Sequence, residues 1–292
     1  MIPIYFAGID LGSTMTKVVV VDESEKLLAY VVQHTGAEHR RLANRVMEEA
    51  LSQAGITIDD ITYIIATGYG RINVPFADKQ ITELTCHARG VSHFFPNVSL
   101  AIDIGGQDAK AMKIKNGKLI DFMMSDKCAA GTGRYLEVVA QTLGLSIEDL
   151  GPISLKSTHK VSISSICTIF AQQEVSNHLS AGVPLEDVVA GLHDAIAGRV
   201  ARMARRLKVE PDVVFTGGVA KNTGVVRALE ENLGCPVLVP SEPLLSGALG
   251  AALIARETAL KAQAEGKPLQ KVGRKLEEAT FFKQDDGILS GN

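Results

Sequence analysis

The sequence predicts an α/β fold made of two lobes built on one plan. The first observation is an internal copy. Ala7-Gly8-Ile9-Asp10-Leu11-Gly12-Ser13-Thr14-Met15-Thr16-Lys17 aligns with Leu100-Ala101-Ile102-Asp103-Ile104-Gly105-Gly106-Gln107-Asp108-Ala109-Lys110, 93 residues downstream. Asp10, Gly12 and Lys17 recur as Asp103, Gly105 and Lys110. The second observation is that each copy runs on into an apolar strand, a polar turn (Asp22 to Lys26, Lys115 to Lys118) and a short apolar run. Each copy therefore reads as a β-hairpin entered by a carboxylate and bent at glycine. The third is an alternation of strand and helix patterns through the rest of the chain.

Taken in order, Ile2 to Ile9 opens the first copy as a strand. Arg40 to Gly55 is expected to be a helix, with Leu42, Val46, Ala50 and Leu51 on one face. Ile61 to Thr67 is a β-branched strand running into the Gly68-Tyr69-Gly70 turn, and Ile81 to Val91 fits a helix. Val98 to Ile104 begins the second copy. Gly133 to Leu143, Thr168 to Leu179 and Leu185 to Leu207 are expected helices, the last with Val188, Leu192, Ile196, Val200, Met203 and Leu207 aligned. Val213 to Thr216 is a buried strand entering Gly217-Gly218, and Gly247 to Ala262 a helix of small residues. The expected lobes are 1–99, completed by the helix 246–262, and 100–245; a polar tail, 263–292, is expected to be flexible.

With 292 residues, 46% of them hydrophobic and 5% aromatic, the chain can bury two cores. A net charge of −3 gives no reason to expect nucleic acid or an anionic membrane as partner. No apolar run reaches the roughly 18 residues that span a bilayer. The start of the chain lacks a basic, apolar, cleavable segment, so the expected location is cytoplasmic. In that compartment Cys86, Cys128, Cys167 and Cys235 are expected to be thiols or metal ligands rather than disulfides.

Glycines let a ligand approach the backbone, and clustered N–H and hydroxyl groups suit phosphate oxygens. Two such loops facing each other would hold a polyphosphate. There is no GxxxxGK[ST] and no Gly-x-Gly-x-x-Gly after a strand. A third loop, Thr216-Gly217-Gly218-Val219-Ala220-Lys221-Asn222, ends a strand and would let an adenosine lie against its paired glycines. One Gly-Gly turn alone is ordinary; three loops in this order resemble the actin, heat-shock ATPase and sugar-kinase (ASKHA) superfamily. That resemblance implies two ribonuclease-H-like lobes with the nucleotide in the cleft.

Cys128 and Cys167 each sit just ahead of an expected helix, where unpaired N–H groups and the macrodipole favour thiolate. Either they are small buried thiols, or they are ligands. A [4Fe–4S] cluster takes four thiolates, which a two-fold homodimer would supply from two per chain. Cys86 and Cys235 lack this setting and are read as structural.

These stretches resemble the BadF/BadG/BcrA/BcrD ATPase family. The match runs from about Ile4 to Ala262 and is carried by Asp10-Leu-Gly-Ser-Thr, Ala66-Thr-Gly-Tyr-Gly-Arg71, Ala77-Asp-Lys-Gln80, Asp103-Ile-Gly-Gly-Gln-Asp108, Lys127-Cys-Ala-Ala-Gly-Thr-Gly-Arg134 and Thr216-Gly-Gly-Val-Ala220. The resemblance implies an oxygen-sensitive homodimer whose bridging [4Fe–4S] cluster is held by Cys128 and Cys167 of each chain. It implies an electron taken from ferredoxin or flavodoxin and passed, with ATP hydrolysis, to an iron–sulfur (R)-2-hydroxyacyl-CoA dehydratase. A benzoyl-CoA reductase subunit is the alternative; a small-molecule kinase without a cluster is more distant.

The expected roles are these. Asp10 and Asp103 face Mg²⁺ through water, because hard oxygen ligands suit that ion. Gly12, Ser13, Thr14 and Lys17 face ATP or ADP phosphates from the first loop, and Gly105, Gly106 and Gln107 from the second. Gly217, Gly218 and Ala220 take the adenosine. Gln107 would orient the attacking water. Glu83 is a candidate catalytic carboxylate or a solvated one. Arg199, Arg202, Arg205 and Arg206 form a docking face or the wet side of a helix. His87, His178 and His193 have no ligand spacing and are read as structural.

Overall fold

A computed structural model describes residues 4–125, 129, 131–164, 167–274 and 276. Cys128 lies outside these residues. The first sheet contains β1 (Tyr5–Leu11), β2 (Met15–Asp22), β3 (Leu27–His34), β4 (Ile61–Thr67) and β5 (Lys79–Gln80), in the order β3-β2-β1-β4-β5. The second contains β6 (Leu100–Ile104), β7 (Ala109–Lys115), β8 (Lys118–Met124), β9 (Val213–Thr216) and β10 (Val237–Leu238), in the order β10-β9-β6-β7-β8. Each has three antiparallel strands joined to two parallel ones, so the internal copy extends to the whole topology.

The helices are α1 (His39–Ala54), α2 (Glu83–Phe94), α3 (Gly133–Leu143), α4 (Ile147–Ser154), α5 (Thr168–Ser180), α6 (Leu185–Arg205), α7 (Thr223–Leu233) and α8 (Ser246–Ala264). The central strands β1 and β6 are apolar and buried on both faces, as strands sandwiched between helical layers must be. One face of the first sheet packs on Leu42, Val46, Met47 and Ala50 of α1, the other on Ala248, Ala251, Ala252 and Ala255 of α8. The second sheet is covered by α3 to α7, with Ile196 and Val200 of α6 in the core. Two helices, α4 and α7, lie outside the segments expected to be helical, and each starts at a side-chain cap. Ser146 and Asp149 form a capping box at α4, and Asn222 accepts from Gly224 N and Val225 N at α7.

The helix α2 bridges the two expected lobes. This helix lies within 1–99, yet its Ala88 and Val91 pack on Ala101, Met112 and Val214 of the second sheet. The reason is the duplication: β5 leads into α2 as β10 leads into α8, and each helix crosses to cover the other sheet. α2 and α8 meet back to back. A Cβ on Gly90 would stand 1.9 Å from Ser246 O, and one on Gly250 1.7 Å from Cys86 O. Only glycine permits that approach.

The tail also differs from expectation over its described part. The Arg274 guanidinium pairs with the fully buried Asp78 carboxylate and donates to the carbonyls of Ile61 and Thr62. Val272 N donates to Asp78 Oδ1 at 3.1 Å. The polar composition hid this, because the anchoring partner lies 196 residues earlier in the chain.

Candidate functional site

The copied residues converge at the facing ends of β1 and β6. Asp10 is paired in register with Lys17 on β2 and Thr67 on β4; Asp103 is paired with Lys110 on β7 and Thr216 on β9. Each threonine precedes a glycine with φ of +86°. A side chain on Gly68 would strike Asp10 Oδ1 at 2.4 Å, and one on Gly217 would strike Ile104 O at 2.4 Å. The Thr216-Gly217 loop is thus the structural repeat of Thr67-Gly68. The paired Thr-Gly dipeptides in the sequence carried that signal.

The turns agree as well: Gly12 N donates to Met15 O at 3.2 Å and Gly105 N to Asp108 O at 3.0 Å. The two loops touch, since a Cβ on Gly106 would lie 2.3 Å from Thr14 Oγ1. Ser13, Gln107 and Gly218 are exposed at this cleft, whereas Gly217 and Ala220 are buried. Thr14, Gly12, Gly105 and Gly106 are half-buried between them.

The side chains form one charged network. Lys17 Nζ bonds Asp10 Oδ2 at 3.0 Å. Lys110, 3% exposed, reaches Glu83 Oε1 and Asp108 Oδ1 at 2.8 Å each and Asp103 Oδ2 at 3.8 Å. Burial lowers both lysine pKa values, but Asp10 beside Lys17 and Asp103 beside Lys110 outweigh it and hold the ammoniums charged. Burial would raise Asp103, but His87, Lys110 and Lys17 drive it well below the carboxylate range. Glu83 is raised, chiefly by burial, against the pull of Lys110. Glu83 is therefore part of the network and not a solvated helix carboxylate.

His87, read as structural, is buried, with Nε2 3.1 Å from Asp103 Oδ1. His193 is buried elsewhere, between Ser154 Oγ (2.9 Å) and the Asn222 amide (3.3 Å), and burial drops its pKa to about 3. His178 Nε2 lies 3.3 Å from Ser162 O. Of the four arginines, Arg199 lies against the Gly131 turn and Arg205 donates to Asn232 O.

With Asp10, Asp103, Glu83 and Asp108 each drawn to a lysine ammonium, the network forms no metal cage, and no group of three or more side chains placed to hold a metal ion occurs among the described residues. The arrangement does fit Mg²⁺ carried in by a nucleotide, which needs only one or two carboxylates beside phosphate and water. Asp10 Oδ1 is buried with no partner among the described residues. A buried carboxylate oxygen left bare is costly unless a cation or its water faces it.

Cys86 is fully buried, and burial pushes its thiol up to about 12. Cys235 is half-buried and raised for the same reason. Cys167 is half-buried at the N-cap of α5, and the next turn exposes Ile169 (72%) and Phe170 (62%). A half-exposed thiol at a helix start, beside apolar side chains left in water, fits a ligand completed by another surface. α3 is joined to the second loop directly: Gly133 N donates to Gly105 O at 2.8 Å and Arg134 N to Gly106 O at 2.9 Å.

The family model for the BadF/BadG/BcrA/BcrD ATPases matches residues 7–255. The chain belongs to that family. It is 46% identical over 264 residues to the 2-hydroxyisocaproyl-CoA dehydratase activator of Clostridioides difficile, covering 90% of this chain and 99% of that one. It is 45% identical over 259 residues to the (R)-2-hydroxyglutaryl-CoA dehydratase activating ATPase of Acidaminococcus fermentans, covering 88% and 99%. A benzoyl-CoA reductase subunit of Thauera aromatica is 29% identical over 85% of this chain and 91% of its own. The solved structure of the Clostridium difficile activator, with bound ADPNP, superposes with a TM-score of 0.84 at 46% identity, over 90% of this chain and 98% of that one. A glucokinase from Streptomyces griseus, at 16% identity and a TM-score of 0.54, over 87% of this chain and 99% of that one, shares the fold. The expected ASKHA fold and family are therefore those observed, and as a family member the chain is an ATPase. No helix among the described residues is long and apolar enough to cross a membrane.

Proposed function

We propose that this chain is an ATP-dependent electron-transfer activator of an iron–sulfur (R)-2-hydroxyacyl-CoA dehydratase, working as a homodimer. The observation that carries the proposal is the main-chain junction between the Gly105-Gly106 loop and the start of α3, five residues after Cys128. A γ-phosphate in the cleft bears on Gly105 and Gly106, and any shift of that loop is handed to the helix beyond the cysteine. Asp10 and Asp103 would hold Mg²⁺ through water. Ser13, Thr14, Lys17 and Gln107 orient phosphate and water, and Gly217, Gly218 and Ala220 seat the adenosine. Glu83, kept near the cleft by Lys110 and raised in pKa, takes the water's proton.

Cys128 and Cys167 of each subunit would hold one [4Fe–4S] cluster, which supplies a one-electron carrier when bound. Ile169 and Phe170 would be covered at that junction. The electron donor is a ferredoxin or flavodoxin, and the setting is the cytoplasm. The 44–46% relatives are named as dehydratase activators or activating ATPases, against 29% for the benzoyl-CoA reductase subunit, which favours the dehydratase reading.

The test is iron and acid-labile sulfide on anaerobically purified protein, with the dimer measured by light scattering. About four irons per dimer are expected, lost in Cys128→Ala and in Cys167→Ala. Iron-free protein that hydrolyses ATP after anaerobic reconstitution would sink the electron-transfer reading and return the cysteines to packing. ATP-dependent activation of a dehydratase, absent in Asp103→Asn, tests the coupling.

A further inference from the structure

The duplication makes one position unequal, and the inequality falls on the catalytic carboxylates. α2 and α8 are repeats of each other: Gly90 meets Ser246 O as Gly250 meets Cys86 O. That register sets Cys86 against Ser246 and His87 against Gly247. Both positions face a carboxylate. A Cβ on Gly247 would stand 2.8 Å from Asp10 Oδ2, so α8 approaches Asp10 with bare backbone. At the matching place α2 presents an imidazole, with Nε2 3.1 Å from Asp103 Oδ1.

The two aspartates consequently have different freedom. Asp103 Oδ1 accepts from His87 Nε2–H and from Thr216 Oγ1 at 3.0 Å, so its plane is fixed from two elements. Its Oδ2 remains, with Lys110 at 3.8 Å. On the other side Thr67 Oγ1 donates to Ile81 O at 2.9 Å and not to Asp10, whose Oδ1 has no partner among the described residues. Among the described residues, Lys17 alone holds the Asp10 carboxylate.

We propose that His87 is a positioning residue for ATP hydrolysis, fixing the Asp103 carboxylate so that Oδ2 meets the water shell of the nucleotide's Mg²⁺. This rests on the assignment of Asp103 to that ion. Partners of this kind behind a carboxylate typically contribute about 10–100-fold in metal affinity or activity. Because His87 belongs to α2, which packs on α8 of the first lobe and on the second sheet, the same contact registers the helix crossing on the cleft.

Two variants of similar size separate positioning from packing. Gln in place of His87 keeps an N–H where Nε2 stood; Asn keeps one only where Nδ1 stood and cannot reach Asp103. We measure ADP binding by calorimetry with excess Mg²⁺ and with EDTA, then kcat and KM for ATP. His87→Gln is expected within about threefold of wild type, whereas His87→Asn loses about tenfold or more in Mg²⁺-dependent ADP affinity and in kcat. EDTA-condition binding stays unchanged in both. Equal values for the two variants, or loss of binding without Mg²⁺ as well, would overturn the proposal. Asp103→Asn separates the layers. If it keeps full Mg²⁺-dependent binding, the assignment of Asp103 fails and this proposal with it. If it loses that binding while His87→Asn does not, only the role of His87 fails.

Discussion

Replacing Gly250 by alanine sets two well-measured effects against each other. In an exposed helix the change stabilises by about 1 kcal/mol, because glycine loses more backbone entropy on ordering. Here the new methyl would lie 1.7 Å from Cys86 O, 2.6 Å from Cys86 C and 2.8 Å from Gly90 N, all of them main-chain atoms of α2. Ordinary contact begins near 3.4 Å, so α2 must retreat by about 1.7 Å. It has nowhere to go, since Ala88 and Val91 on its other side are packed on Ala101, Met112 and Val214. Overpacking of this kind costs about 3 kcal/mol, which leaves a net loss of about 2 kcal/mol after the propensity gain. The expected fall in thermal midpoint is about 4 °C or more. Gly198→Ala in α6 is the matched control, because its Cβ would meet nothing nearer than 3.3 Å. It should be neutral or raise the midpoint. Differential scanning calorimetry of both variants decides the matter. A Gly250→Ala midpoint at or above wild type, or equal falls in both, would refute the backbone-contact argument. ATPase assays of Gly250→Ala should show reduced kcat, since the retreating helix carries Glu83 and His87.

Three more outcomes are expected. His193, held neutral with a pKa near 3 against 6.5 unfolded, lets the unfolded chain bind the extra proton as pH falls; its stability contribution is complete above pH 6.5 and declines toward pH 3. Urea titrations should show wild type losing about 1.6 kcal/mol more than His193→Asn between pH 6.5 and pH 5, and parallel curves would exclude this role. Arg274→Ala leaves the buried Asp78 carboxylate without its counter-ion and should cost about 3 kcal/mol in urea unfolding; an unchanged midpoint would mean the described tail contributes nothing. With its thiol near 12, Cys86 is about one part in ten thousand thiolate at pH 8, so iodoacetamide should label Cys167 in native iron-free protein long before Cys86. Peptide mass spectrometry showing equal labelling would contradict the burial.

What the sequence disclosed was whatever the duplication or a strong period encoded. The Asp-Gly-Lys spacing located both carboxylate hairpins, and the 3.6-residue pattern located α1, α3 and α6. It could not show that α2 covers the second sheet, because its apolar face reads the same against either. The Glu83–Lys110 pair joins a helix to a strand 27 residues on, and nothing in either segment announces it. His87 shows no ligand spacing, because its partner is a carboxylate from another strand and not a metal. Outside the expected helices lie α4 and α7, whose local signals are the caps Ser146 and Asn222 and, in α7, an apolar face of Val225, Ala228 and Leu229. The site was legible as three loops carrying Asp10, Lys17, Asp103 and Lys110; the pairings of Lys110 with Glu83 and of Asp103 with His87, which tie α2 to them, were not.

The junction at Gly133 and Arg134 is made of peptide groups alone, and this has a consequence for how its importance would show itself. Two carbonyls and two amides carry the message, so exchange of the Arg134 side chain leaves the wiring intact. The glycines are another matter: a methyl on Gly133 would press on Gly105 O at 3.2 Å, and one on Gly106 on Thr14 Oγ1 at 2.3 Å. Proline is the instrument that cuts the wiring. Both residues lie in the first turn of α3, where proline is tolerated by the helix itself; at Arg134 it removes the amide hydrogen together with an exposed ion pair to Glu137. Arg134→Pro thus severs one strand of the cable while its supports stay standing.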